Sequence, residues 1–146
     1  MSYWDTSALA KLYTSEPDSS VFEAKAKPGN AVFQTARVTL WEFRRVTLRK
    51  ELAGSIPANA SEIIWDELKS DIASGWLQIV APTELVQREF DRVMTTCYRV
   101  FPAVPLRTLD ALHLASAKIA GETEVVTTDH KLREAAAKLG FQLFPI

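Results

Sequence analysis

The sequence predicts an α/β domain built on a parallel sheet. Short apolar or β-branched runs alternate with longer segments of helical periodicity from one end of the chain to the other. No Asn-Gly or Asp-Gly pair joins two such runs into a hairpin. The run Val125-Val126-Thr127 is apolar without alternation, as in a strand covered on both faces. With 146 residues there is enough chain for one core and too little for two, so a single domain over 1–146 is expected.

Ser2-Tyr3-Trp4 is the first strand. It runs directly into Asp5-Thr6-Ser7, any of which can cap the helix that Leu9, Leu12 and Tyr13 mark by their spacing. A second helix is expected over Asp18 to Lys25, stopped at Pro28-Gly29, and Ala31 to Gln34 reads as a strand. Arg37 to Leu52 is a helix ended by Gly54. Pro57 opens another, carrying Ile63, Ile64, Trp65 and Leu68 and stopping near Gly75. Trp76 to Val80 is a strand of partial alternation. Thr83 caps a long helix through Leu85, Phe90, Val93 and Met94 to about Val100, and Pro102 and Pro105 form the next connection. Thr108 starts a helix that runs to Ala120 and closes at Gly121. The strand at Val125 follows, then a helix from Asp129 to Gly140 and a last strand, Gln142-Leu143-Phe144.

Composition narrows the function. Apolar residues make up 47% and charged residues 24%, the balance of a globular domain without low-complexity tracts. The lone Cys97 excludes an intrachain disulfide and reads as a small buried hydrophobe on a helix. One cysteine and two distant histidines, His113 and His130, exclude a structural zinc site. The opening Met1-Ser2-Tyr3-Trp4-Asp5 lacks a basic n-region and an apolar h-region. No apolar run approaches the ~20 residues of a membrane span, so a cytoplasmic location with no membrane role is expected. The net charge of −1 argues against a broadly basic nucleic-acid surface. A nucleic-acid role would therefore need a local basic patch or a metal ion.

Four carboxylates stand out. Parallel α/β sheets gather their chemistry past the carboxyl ends of the strands, and Asp5 and Asp129 each follow a predicted strand. If those strands are neighbours, the two acids lie side by side; helix capping is the competing role for each. Glu42 lies inside its helix, one turn from Val38 and Val46, on the border of the apolar stripe. Its simplest alternative is an ion pair with Arg45 at i+3. Asp110 lies in a first turn, but the segment around it is small and apolar, where an unpaired carboxylate is costly. Converging carboxylates repel one another, and a hard divalent cation relieves that repulsion. Such clusters activate water for in-line attack on a phosphodiester.

These segments resemble the PIN-domain ribonucleases. Asp5-Thr6-Ser7-Ala8-Leu9-Ala10-Lys11-Leu12-Tyr13 is similar to the family's opening motif, and Trp41-Glu42-Phe43 to its second. Arg107-Thr108-Leu109-Asp110-Ala111-Leu112-His113-Leu114-Ala115 is similar to the third and is the most specific; Thr127-Thr128-Asp129-His130-Lys131-Leu132 matches the last. All occur in the family's order across residues 5 to 132. The first strand departs from the pattern in being short and aromatic rather than aliphatic.

The resemblance implies a PIN-like three-layer α/β/α fold with a central parallel sheet of four to five short strands flanked by helices. It implies that Asp5, Glu42, Asp110 and Asp129 hold one or two Mg²⁺ ions, with Mn²⁺ as substitute, for RNA hydrolysis. Thr6 and Thr128 would orient carboxylates or waters. A compact single domain suits the VapC-type toxin of a type II VapBC toxin–antitoxin pair, with a cognate antitoxin over the acidic pocket. A homodimer would use apolar surface on the helices between Leu40 and Leu68.

Other residues are candidates with plain alternatives. Lys11 is a candidate phosphate contact or a solvated lysine. His113, one turn after Asp110, is expected to support the site rather than act as general base. Arg37, Arg44 and Arg45 share a helix with Glu42 and are candidate RNA contacts or a solvated face. Trp41, Trp65 and Trp76 are candidates for base stacking or for the core. His130 is expected to be exposed. A haloacid-dehalogenase-type phosphatase fits poorly, because Ser7 stands where its second acid belongs, and a receiver domain lacks its adjacent early acids. The nearer alternatives are a PIN nuclease of RNA processing or decay and a catalytically inactive PIN-fold binding module.

Overall fold

The computed structural model describes residues 1–27 and 32–146. Among these, five strands form one parallel sheet: β1 (Ser2–Trp4), β2 (Phe33–Ala36), β3 (Leu77–Val80), β4 (Glu124–Val126) and β5 (Gln142–Phe144), in the order β3-β2-β1-β4-β5. The helices are α1 (Thr6–Leu9, continued by a 3-10 turn over Ala10–Leu12), α2 (Ser19–Ala26), α3 (Arg37–Leu52), α4 (Ala60–Ser74), α5 (Glu84–Arg99), α6 (Thr108–Ile119) and α7 (His130–Lys138). They cover both faces of the sheet.

The central strand shows how the layers arise. Successive side chains of a strand point to opposite faces. Tyr3 therefore joins one apolar cluster with Val93, Leu114, Val125 and Leu132, drawn from α5, α6, β4 and α7. Trp4 joins the other with Leu9, Phe22, Phe33, Phe43, Leu68 and Val126. Trp4 meets Phe33 edge-on at 5.0 Å between ring centres, and its indole N–H donates to the Ser2 hydroxyl at 3.0 Å. A strand that short contributes stability only because both of its faces are covered by large side chains.

The strand order reverses direction between β1 and β4, whose register pairs Tyr3 with Val125 and Trp4 with Val126. That reversal opens a crevice at the carboxyl edge, where α/β folds place their sites. The Asp5 N–H continues the pairing by donating to the Val126 carbonyl at 3.2 Å. On the other side, β2 passes into α3 with no intervening residue, which carries Glu42 to the same edge.

Several boundaries differ from those expected. β2 runs later than Ala31–Gln34 because Thr35 and Ala36 pair with Ile79 and Val80, and the Thr35 hydroxyl donates to the Trp4 carbonyl at 2.7 Å. The expected helix stop at Pro28-Gly29 and the start of that strand at Ala31 lie outside the described residues. α4 begins at Ala60 rather than Pro57, since Asn59 takes a left-handed conformation with φ 65° and sets the helix start. α1 tightens into a 3-10 turn after one turn. α3, α5, α6 and α7 fall within a residue or two of their expected limits.

Candidate active site

Asp5, Glu42, Asp110 and Asp129 all line one open cleft of about 970 Å³. Asp5 is the most tightly held. It caps α1 by accepting the Ala8 N–H at 3.0 Å, and it accepts the hydroxyls of Ser7 at 2.8 Å and Thr127 at 2.7 Å. Burial still outweighs these bonds and the nearby His113, and pushes its carboxyl above the usual range. A buried carboxylate that resists ionising gains most from a nearby cation.

Glu42 is held from two sides. Its Oε2 accepts the Thr6 hydroxyl, and His113 Nε2 lies 2.8 Å from the same oxygen. Burial pushes the Glu42 carboxyl up, but the bonds and charge from His113, Thr6 and Arg107 prevail and hold it below the usual range. The i+3 pair with Arg45 does not form.

His113, only 3% exposed, is in turn fixed by Tyr3, whose hydroxyl lies 2.7 Å from Nδ1. That hydroxyl also accepts the Ala36 N–H at 3.1 Å, so Tyr3 ties the ring to β2. The Glu42 carboxylate can only accept, so His113 Nε2 carries a proton and donates to it. The aromatic first strand thus supplies a hydroxyl beneath the site that an aliphatic strand would lack.

Asp110 and Asp129 are joined by Arg107. Its Nε donates to Asp110 Oδ2 at 2.8 Å, and its Nη2 reaches Asp110 Oδ1 at 3.2 Å and Asp129 Oδ2 at 3.1 Å. Asp129 keeps Oδ1 on the Leu132 N–H at 3.0 Å as the cap of α7. Capping and site membership therefore coexist in Asp5 and Asp129.

The remaining sequence candidates divide. Thr6 orients Glu42. Thr128 bonds no carboxylate through its hydroxyl; its backbone N–H donates to Ser7 Oγ at 3.0 Å, and Thr127 performs the orienting instead. Lys11 is not solvated: it is 8% exposed and donates to Glu16 and Asp18, each at 2.7 Å. Arg44 turns away to pair with Glu62 and to cover the Trp65 ring. Arg37 is exposed outside the cleft, whereas Arg45 lines it together with Arg49 and Lys50. Of the tryptophans, Trp41 stands in the cleft at 67% exposure, while Trp76 packs on Phe33. His130 is exposed as expected. Sequence reasoning assigned no site role to Ser7, Thr127, Arg107 or Tyr3. The first three lie within the PIN-like motifs, but nothing in those motifs marks what each of them holds.

Among the described residues, no three His, Cys, Asp or Glu side chains stand close enough to hold an ion as they are placed. The Arg107 guanidinium occupies the space between Asp110 and Asp129. The donor set itself, oxygen throughout, suits a hard cation.

A parallel sheet with this crossover and acids at its switch point defines a recognisable class, and the chain belongs to the PIN-domain family, whose pattern matches residues 2–138. It is 32% identical over 143 residues to ribonuclease VapC35 of Mycobacterium tuberculosis, across 95% of this chain and 92% of that protein. The fold is shared with FitAcB from Neisseria gonorrhoeae (TM-score 0.70, 16% identity, 99% of this chain and 96% of that one). It is shared too with VapC20 of Mycobacterium tuberculosis, a sarcin-ricin loop cleaving toxin (TM-score 0.67, 16% identity, 92% and 95%). The architecture is the PIN-like three-layer α/β/α fold. No helix among the described residues is long and apolar enough to cross a membrane.

Proposed function

We propose that the protein is a metal-dependent endoribonuclease and the toxin half of a VapBC-type pair. The observation that carries this reading is the meeting of Asp5, Glu42, Asp110 and Asp129 in one cleft at the β1–β4 switch point. Kinship to ribonuclease VapC35 supports the choice of RNA.

The residues fit a divalent ion once Arg107 withdraws, and its side chain, 65% exposed, has room to do so. Asp5, Glu42, Asp110 and Asp129 would hold Mg²⁺ or Mn²⁺, one ion or two. Bound there, the ion supplies a nucleophilic water at neutral pH and offsets charge on the phosphodiester. The chain's own work is positioning. Ser7, Thr127 and the Ala8 N–H fix both oxygens of Asp5. Thr6 and His113 fix Glu42 through one oxygen and leave Oε1 for the site. Arg107, freed from the carboxylates, is placed to meet the scissile phosphate.

A cognate antitoxin over the cleft belongs to the same reading. So does a homodimer that covers Leu48, Leu52 and Ile63, which are exposed on α3 and α4. The test is cleavage of structured RNA by antitoxin-free protein in Mg²⁺ or Mn²⁺, with Asp110→Asn and EDTA as controls. Cleavage lost in both controls supports the proposal. Folded protein that neither cleaves nor binds Mn²⁺ sinks it and favours the binding-only module, in which Arg107 stays bridged.

A further inference from the structure

The cleft does not end at the acids. It continues along α3, where Trp41, Arg45 and Arg49 recur every fourth residue and all face it. Positions four apart lie on one helix face, about 6 Å on along the axis. Trp41 is 67% exposed, an unusual state for an indole, since burying one normally contributes to folding. Arg45 and Arg49 are exposed, and among the described residues neither makes an ion pair or a side-chain hydrogen bond. Their neighbours behave differently. Arg44 is bound to Glu62, and Lys50 to Glu16 at 3.0 Å.

On a chain whose net charge is −1, this row leaves one aromatic face and two free guanidiniums in line with an acidic pocket. Glu42 is the residue after Trp41, so the row begins beside the site and leads away toward the carboxyl end of α3. Aromatic faces take unpaired bases, and guanidiniums take phosphates. The order of the row, one flat ring beside the acids and then two guanidiniums at a regular spacing, matches a base followed by successive phosphates of one strand.

We propose that Trp41, Arg45 and Arg49 form a subsite for single-stranded RNA flanking the scissile phosphate, with one base stacked on Trp41 and the next two phosphates on Arg45 and Arg49. This rests on the RNA reading above and deepens it. A strand entering along α3 must have its bases unpaired at this point, because a duplex offers no free face to the indole. The row thus selects a loop or an unpaired end over a continuous helix.

The test is fluorescence anisotropy of a labelled twelve-nucleotide oligouridine with the whole protein in EDTA, where binding is read without cleavage. Trp41→Ala should weaken binding about tenfold, and Trp41→Phe should restore much of it, as stacking on any aromatic face would. Arg45→Gln with Arg49→Gln should reduce the slope of log affinity against log salt by about 1.4, near 0.7 for each phosphate of a single strand that is no longer neutralised. The Trp41→Ala penalty should vanish when the same strand is annealed to oligoadenosine. Wild-type protein that does not bind the strand, or variants that bind it as wild type does, overturn the subsite and leave the arginine row to a protein partner. Cleavage is measured in parallel. Metal-dependent cleavage with unaltered variant binding removes only the subsite; weakened variant binding without cleavage removes only the nuclease reading.

Discussion

Tyr3 links the core to the chemistry through one hydroxyl. Burial raises its ionisation far above the ordinary tyrosine range, so the hydroxyl keeps its proton while it bonds His113 Nδ1 and accepts the Ala36 N–H. Tyr3→Phe leaves the Ala36 N–H and His113 Nδ1 without partners, both buried, at a cost of about 1–3 kcal/mol. Urea denaturation should show a lower midpoint with an unchanged slope. RNA cleavage by the folded variant should fall as well, because His113 is no longer held against Glu42; full activity would mean that the imidazole needs no such support. Arg107 invites the opposite experiment. Its exposed guanidinium neutralises Asp110 and Asp129, so any cation entering there must displace it. Arg107→Ala should tighten Mn²⁺ binding by roughly 1.4- to fivefold in calorimetry, matching the roughly 0.2–1 kcal/mol of an exposed pair. Unchanged or weaker binding would show that the guanidinium and the ion do not compete. These roles were not legible in the sequence. Motifs show which residues cluster, but the partner of Thr127 is Asp5, 122 residues away, and only the β1–β4 pairing brings them together.

At the scale of elements, α6 carries the clearest division of labour. Asp110 and His113 share one face, while Leu114 is fully buried among α5, β4 and α7 side chains. Leu114→Ala should cost about 2–5 kcal/mol, the range for deleting a packed leucine with partial collapse of the cavity. Leu109, in the same helix but 42% exposed at the cleft, should tolerate alanine within about 0.5 kcal/mol. Thermal unfolding of both variants checks the contrast; equal losses would mean that α6 is not anchored by its core face. This helix was easy to read because small apolar residues surround a single acid and Gly121 follows it. α3 was equally clear, with its basic and apolar residues in register up to Gly54. β2 was not, because its limits depend on pairing with Ile79 and Val80, and no local pattern encodes a partner strand. The burial of Lys11, which lines the cleft, was hidden for the same reason. Its ion pairs come from Glu16 and Asp18 after the chain has turned back, which spacing alone does not reveal.

The whole molecule is polar in the literal sense, with its two sheet edges differing in chemistry. The carboxyl edge bears the acids and the cleft, while the amino edge brings together Met1, Lys25, Glu122 and Glu124. The sequence predicted the first edge through the two strand-end aspartates, and β1 and β4 are indeed neighbours. No local pattern announces the second, where Glu122 is only 7% exposed and its Oε1 has no hydrogen-bond partner among the described residues. Burial pushes the Glu122 carboxyl above its usual range; the Met1 ammonium, 4.0 Å away, pulls it down, and Glu124 pushes it up again. A carboxyl raised on folding binds its proton better in the folded state. The stability this contributes is fully present below the unfolded pKa and is lost as pH rises through the folded value. At neutral pH Glu122 is therefore a cost, which Glu122→Gln removes. The variant should be more stable than wild type at pH 7 by about 1 kcal/mol, or about 3 °C in Tm. The difference should close as pH falls to about 4, where the wild-type side chain is protonated too. RNA cleavage should be unchanged, since the substitution lies at the opposite edge of the sheet from Asp5. A variant less stable at pH 7, or a difference independent of pH, would show that the ionised carboxylate is stabilised by Met1 rather than stranded beside it.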